Sequence, residues 1–249
     1  MPPLAPLCLW ACAPTTEAVT DGLVSTSLCG DAYALEAGDP AALSWQSAGP
    51  LGSGWAGPRA SSDPERLVAL DPARLLLGPG ERVPEAVTRG RRVAALDWGE
   101  DFEGVARNRG YVAELLNDSP FPDEETVPGS PSVPATPPTA LYLSRAGGTA
   151  GPGTYVDAAI RAAGGRNLVE APGWFTPDPE WLLAQDADVV VVSFLDGYES
   201  ATAPLARNRA VQRWLERRRT VEVPGRLWPC AGPGLEQAVE VLREGFGEG

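Results

Sequence analysis

The sequence predicts an α/β protein built as two βαβ units, each around a mainly parallel sheet. Three observations carry that expectation. Short apolar strands alternate with helical stretches along the whole chain, which is the pattern of βαβ crossovers. Asp188 to Ser193 reads DVVVVS, a strand apolar on both faces, as a parallel sheet covered on each side requires. Between the halves, Asp118 to Thr139 holds seven prolines in 22 residues without periodicity, so it cannot continue a helix and reads as a semi-extended connector.

In the first half, Leu23 to Ser27 reads as a strand leading into Leu28-Cys29-Gly30-Asp31, and Asp31 to Ala37 as a helix closed by Gly38. Ala41 to Trp45 is a second strand, followed by a glycine-rich loop from Ser47 to Ser62 that carries Trp55. Asp63-Pro64-Glu65 supplies a helix N-cap, a proline at the first helical position and an acidic first turn. The helix from Pro64 to Leu70 then feeds a strand at Arg74 to Leu77. A helix over Val83 to Thr88, a strand over Arg92 to Leu96 ending at Asp97-Trp98, and a long helix over Asp101 to Leu116 complete this half.

The second half opens on a strand from Ala140 to Ser144, a turn from Gly147 to Gly153 and a helix from Thr154 to about Ala163. Thr154 is a good N-cap, and Tyr155, Ala159, Ile160 and Ala163 share one helical face. Such a turn either presents backbone N–H groups to a ligand at the carboxyl end of a strand or simply makes a tight connection. Trp174-Phe175 follow in a loop, then a helix over Asp178 to Gln185, the strand DVVVVS, and a helix over Leu205 to Arg218. A strand over Thr220 to Val223 and a helix over Pro233 to Phe246 close the chain. Trp45 and Trp181 are expected in the core.

Composition narrows the function classes. A net charge of −13 over 249 residues offers no basic stripe for nucleic acid. The run Arg213, Arg217, Arg218 and Arg219 reads as the solvated end of a helix. The absence of histidine removes the commonest general base, the commonest metal ligand and every Ser-His or Cys-His triad. The spacing of Cys8, Cys12, Cys29 and Cys230 suits no zinc site. Residues 1–19 read as signal-like, with Leu9-Trp10-Ala11-Cys12 a loose lipobox that would make Cys12 a lipidated N-terminus; a disordered tail is the alternative.

The blocks LVSTSLCGDAYAL and PERLVALDPARLLLG in the first half resemble the substrate-binding proteins of ABC importers for iron–siderophore complexes, haem and cobalamin. So do GPGTYVDAAIRAAGGRNLVE, PDPEWLLAQDADVVVVS and VPGRLWPCAGPGLEQAVEVL in the second. The likeness spans residues 20 to 246. It implies a first lobe at 20–117, a connector at 118–139 and a second lobe at 140–249, facing each other across a ligand cleft. The proline-rich connector stands where that family has one long helix.

The resemblance also implies a lining at the carboxyl ends of the strands, mapped as Cys29, Trp55 and Trp98 from lobe one and Arg145, Thr149, Trp174, Phe175, Trp228 and Cys230 from lobe two. Tryptophans at loop positions suit a large flat ligand such as a corrinoid, a ferric siderophore or haem. Arg145 would pair with a ligand carboxylate, or with Asp157 or a surface acid. Cys29 and Cys230 would close a disulfide across the cleft, offer thiolates to a metal complex, or never meet. Glu81 or Glu85 and Glu199 correspond to permease-docking acids. The implied protein is a periplasmic, monomeric binder, without catalytic residues, bound metal ion or cofactor. The alternatives are an enzyme using Cys29 or Cys230 as nucleophile, or a two-lobed sensor or scaffold without transport.

Overall fold

A computed structural model of the chain describes residues 22–38, 40–45, 55–116, 136–144, 146–193 and 208–247. The leader-like segment, most of the connector, Arg145 and Glu199 lie outside these. No helix among the described residues is long and apolar enough to cross a membrane.

The first half forms β1 (Leu23–Ser25), α1 (Leu28–Ala37), β2 (Pro40–Ser44), β3 (Arg59–Ala60), α2 (Pro64–Leu70), β4 (Arg74–Leu77), α3 (Glu85–Thr88), β5 (Arg92–Ala95) and α4 (Phe102–Leu116). Its five strands pair in the order β3-β2-β1-β4-β5, all parallel. The second half forms β6 (Thr139–Ser144), β7 (Thr149–Ala150), α5 (Tyr155–Ala162), β8 (Arg166–Asn167), β9 (Trp174–Phe175), α6 (Pro179–Leu183), β10 (Val189–Ser193), α7 (Arg209–Leu215), β11 (Arg219–Glu222) and α8 (Leu235–Gly247). Two short 3-10 turns, Gly225–Leu227 and Pro229–Ala231, precede α8. Four of these strands form a second parallel sheet in the order β11-β10-β6-β8.

Both sheets are covered on both faces, and strand alternation shows how. Val190 and Val192 of β10 pack with Leu141 and Leu143 of β6 in a cluster belonging to lobe two, whereas Val189, Val191, Ala140 and Tyr142 face the other way. That second face joins a single core shared with Leu23, Tyr33, Leu76 and the buried side of α4. Leu75 and Leu77 pack outward in lobe one beneath α2.

Local signals placed several elements as expected. Asp63 caps α2 by accepting from the Glu65 and Arg66 N–H groups. Thr154 caps α5 through the Asp157 N–H. One expectation needs correction, and one open alternative is decided. Helix α1 starts before Asp31, because the Ser27 hydroxyl accepts from Gly30 N–H and nucleates the turn around Cys29. Asp31 is instead a buried core carboxylate that accepts from the backbone N–H of Ser44 (2.9 Å) and its hydroxyl (2.6 Å), tying α1 to β2. Of the two readings of the turn from Gly147 to Gly153, the tight connection holds. Gly147, Gly148 and Gly151 donate to Ser144 O, Ser144 Oγ and Gly173 O, and β7 pairs antiparallel with β9.

The lobes are joined by a seam. Cys29, Tyr33 and Glu36 recur along one stripe of α1. Cys29 is disulfide-bonded to Cys230, with Cα atoms 5.4 Å apart. The Tyr33 hydroxyl donates to Ala231 O at 3.2 Å. Glu36 meets Arg109 of α4, whose guanidinium also reaches Glu236 of α8 at 2.7 Å. Cys230 and Ala231 adopt φ of 58° and 48°. Left-handed backbone at non-glycine residues costs about 1 kcal/mol or more each and persists only where surrounding contacts over-determine it. Here the disulfide and the Tyr33 hydrogen bond supply those contacts.

Candidate functional site

In open parallel sheets ligands bind beyond the carboxyl ends of the strands. The seam brings those ends of the two sheets together, because α1 starts directly after β1 and the turn holding Cys230 follows β11. On the lobe-two side four aromatic rings gather there. Tyr155 lies 5.1 Å from Trp174 and 6.0 Å from Trp228 between ring centroids. Tyr142 meets the same two indoles edge-on, at 6.0 Å and 5.8 Å. Trp228 is 3% exposed and Trp174 49%, so the cluster runs from the core out to solvent. The buried Trp228 indole N–H has no hydrogen-bond partner among the described residues. A buried donor left unpaired is costly, on the order of 1–3 kcal/mol.

The phenols are neutral at any physiological pH. Burial pushes Tyr155 up to about 12. Burial foremost, then neighbouring Tyr155, raises Tyr142 as well, although its bond with Ser193 works the other way. In the unfolded chain a tyrosine loses its proton near 10, so the contribution of Tyr155 is intact below pH 10 and is lost as pH rises through about 12. The Tyr155 contribution should fall by about 2 kcal/mol at pH 12. Urea midpoints across the alkaline range, compared with Tyr155→Phe, check this: the variant should keep a shallower decline, and parallel curves would refute it.

The remaining candidates separate into groups. Trp98 is 68% exposed beside Gly80, and Trp55 is half-buried with its indole N–H donating to Pro58 O. Phe175 does not join Trp174. Consecutive residues of a strand point to opposite faces, so Phe175 packs on Trp181 inside lobe two. Thr149 is fully buried and its hydroxyl donates to Tyr142 O at 2.6 Å, which anchors β7 and leaves nothing for a ligand. Trp45, expected in the core, is 59% exposed with the Arg66 guanidinium over its ring. Asp157, one suggested partner of Arg145, pairs with Arg161 and Asn167.

Both seam sulfurs are spent in a disulfide, so neither Cys29 nor Cys230 supplies the thiolate that a nucleophile or soft metal ligand requires. Glu81 turns inward, accepting from Gly78 N–H at 2.8 Å and from the Thr26 hydroxyl, whereas Glu85 stands in solvent beside Arg89. Among the described residues no cluster of acids and cysteines could hold a metal ion. Tyr142 and Tyr155 are the site residues that sequence reasoning missed. The one signal for Tyr155 was its place at the first turn of a helix after a glycine-rich turn.

No family model matches the chain, and no curated protein matches it. Solved structures do share its fold. A periplasmic heme-binding protein from Pseudomonas aeruginosa aligns at 21% identity and a TM-score of 0.65, over 90% of this chain and 92% of that one. The periplasmic vitamin B12 binding protein BtuF of Vibrio cholerae aligns at 18% identity and 0.62, over 90% and 96%. S. aureus IsdE complexed with heme aligns at 12% identity and 0.64, over 90% and 98%. The two-lobed α/β architecture of such binding proteins is therefore the fold of this chain.

Proposed function

We propose that this chain is the substrate-binding component of an ABC importer, a non-enzymatic receptor that captures a flat metal complex between its lobes and hands it to a membrane permease. The observation that carries the reading is the Tyr142–Tyr155–Trp174–Trp228 cluster at the carboxyl end of the second sheet, held opposite α1 by the Cys29–Cys230 bond. Aromatic faces give a corrinoid, a ferric siderophore or haem wide contact at small entropic cost, and an indole N–H meets polar groups on the rim. Structural neighbours named for heme and vitamin B12 support the same ligand range. In this reading the protein works in the periplasm, with Cys12 a candidate lipid anchor and Glu85 and Glu199 candidate contacts to the permease.

A thermal-shift screen with cyanocobalamin, cobinamide, haemin and several ferric siderophores tests the reading. A ligand at 100 times its dissociation constant should add about 2.7 kcal/mol of stability. Trp174→Ala is expected to weaken that ligand by about 30-fold, as loss of an aromatic anchor worth ~2 kcal/mol does. Failure of every metal complex to shift the melting temperature would overturn the proposal.

A further inference from the structure

We infer that Glu81 is a specificity residue on the floor of the ligand site, selecting a metal complex with a neutral, carboxamide-bearing rim over one rimmed with carboxylates; this rests on the proposed binding function. The placement comes first. Thr26 directly follows β1 and Gly78 directly follows β4, and both donate to one oxygen of Glu81, Oε2. The carboxylate therefore sits over the carboxyl ends of two adjacent central strands of the first sheet, where a ligand of this fold class binds. The strand-end loop is itself held tight, because a Cβ at Gly78 would lie 2.6 Å from Ser27 Cβ and Oγ and 3.3 Å from the Glu81 carboxyl carbon. The group does not swing out to solvent as an ordinary surface glutamate does.

The chemistry follows from what is already satisfied. Oε2 is doubly bonded within the fold, and no hydrogen bond to Oε1 occurs among the described residues. Two guanidiniums near the same sheet edge are already engaged. Arg59 donates to the carbonyls of Ser44 and Trp55, and Arg66 donates to Arg59 O and lies over Trp45. The free oxygen Oε1 thus offers an acceptor at the strand ends. A primary carboxamide can donate to it, whereas a ligand carboxylate has no proton to donate and is repelled by it.

The test is a fluorescence titration of the full chain with cobinamide and cyanocobalamin, whose rims carry amides, against haemin, whose rim carries two carboxylates. The amide-rimmed probes should bind at least about 30-fold more tightly than haemin. Glu81→Gln removes the charge and keeps the shape; it should strengthen haemin by about fivefold and narrow the preference by about tenfold. Haemin or a ferric siderophore binding more tightly than the amide-rimmed probes overturns the specificity assignment and leaves the binding function standing. An unchanged preference in a Glu81→Gln variant of wild-type circular dichroism overturns it too. Absence of binding by any probe overturns both. The wild-type comparison needs no variant, so it decides even if Glu81→Gln fails to fold.

Discussion

Reduction of the Cys29–Cys230 disulfide is expected to lower stability by about 3–5 kcal/mol, since the bond closes a loop spanning 201 residues of separation and confines the unfolded chain correspondingly. For a protein of this length that is a drop of roughly 10 °C in melting temperature. Cys29→Ser combined with Cys230→Ser should reproduce the drop and abolish the response to reductant, which separates this bond from any chemistry of Cys8 and Cys12. The loss should extend to ligand binding, because the same bond positions Trp228, two residues before Cys230, against Tyr142 and Tyr155. Melting curves with and without reductant, read beside ligand titrations, check both halves. A reductant effect under about 1 kcal/mol would mean that the other seam contacts hold the lobes unaided.

The second large effect is at Arg109. Its side chain is only 19% exposed and is held by two carboxylates, with Glu36 at 2.8 Å and Glu236 at 2.7 Å. Burial works against the charge, but the hydrogen bonds that Arg109 donates to Glu236 and Glu36 prevail and hold the guanidinium above its usual range. Arg109→Ala leaves two half-buried carboxylates facing each other between lobes and should cost about 2–4 kcal/mol. Replacing all three groups with leucine is expected to recover most of that loss, because the penalty comes from stranded charge more than from a missing attraction. Urea midpoints of the single and triple variants give the answer. A single variant within about 0.5 kcal/mol of wild type would reduce the clamp to an ordinary surface pair.

Much of the architecture was legible because local chemistry and tertiary demand agree. The DVVVVS strand, the Asp63-Pro64 and Thr154 helix starts and the long α4 carry signals that act within one turn or one strand. The tryptophans of the aromatic cluster were half legible. Trp174 and Trp228 stood out in glycine- and proline-rich surroundings, but that both pack on Tyr142 and Tyr155 is seen only in the fold. Phe175 was misgrouped because the two-residue strand β9, invisible in the sequence, turns it away from its neighbour. Trp45 was taken for core because it ends an apolar strand, yet its position past the last buried residue leaves it in solvent. Tyr142 reads as one more apolar strand residue until the face it occupies is known.

Residue types and their spacing were enough to settle two parallel α/β lobes and the lack of histidine chemistry. Those properties depend on interactions within about a dozen residues, and local order reports them directly. The pairing of Cys29 with Cys230, the Arg109 clamp and the inward turn of Glu81 were decided only in the folded molecule. The first two join groups more than seventy residues apart, and Glu81 reaches back to Thr26 across two strands. Contacts of that range are set by how helices and sheets pack, which no nearby sequence encodes.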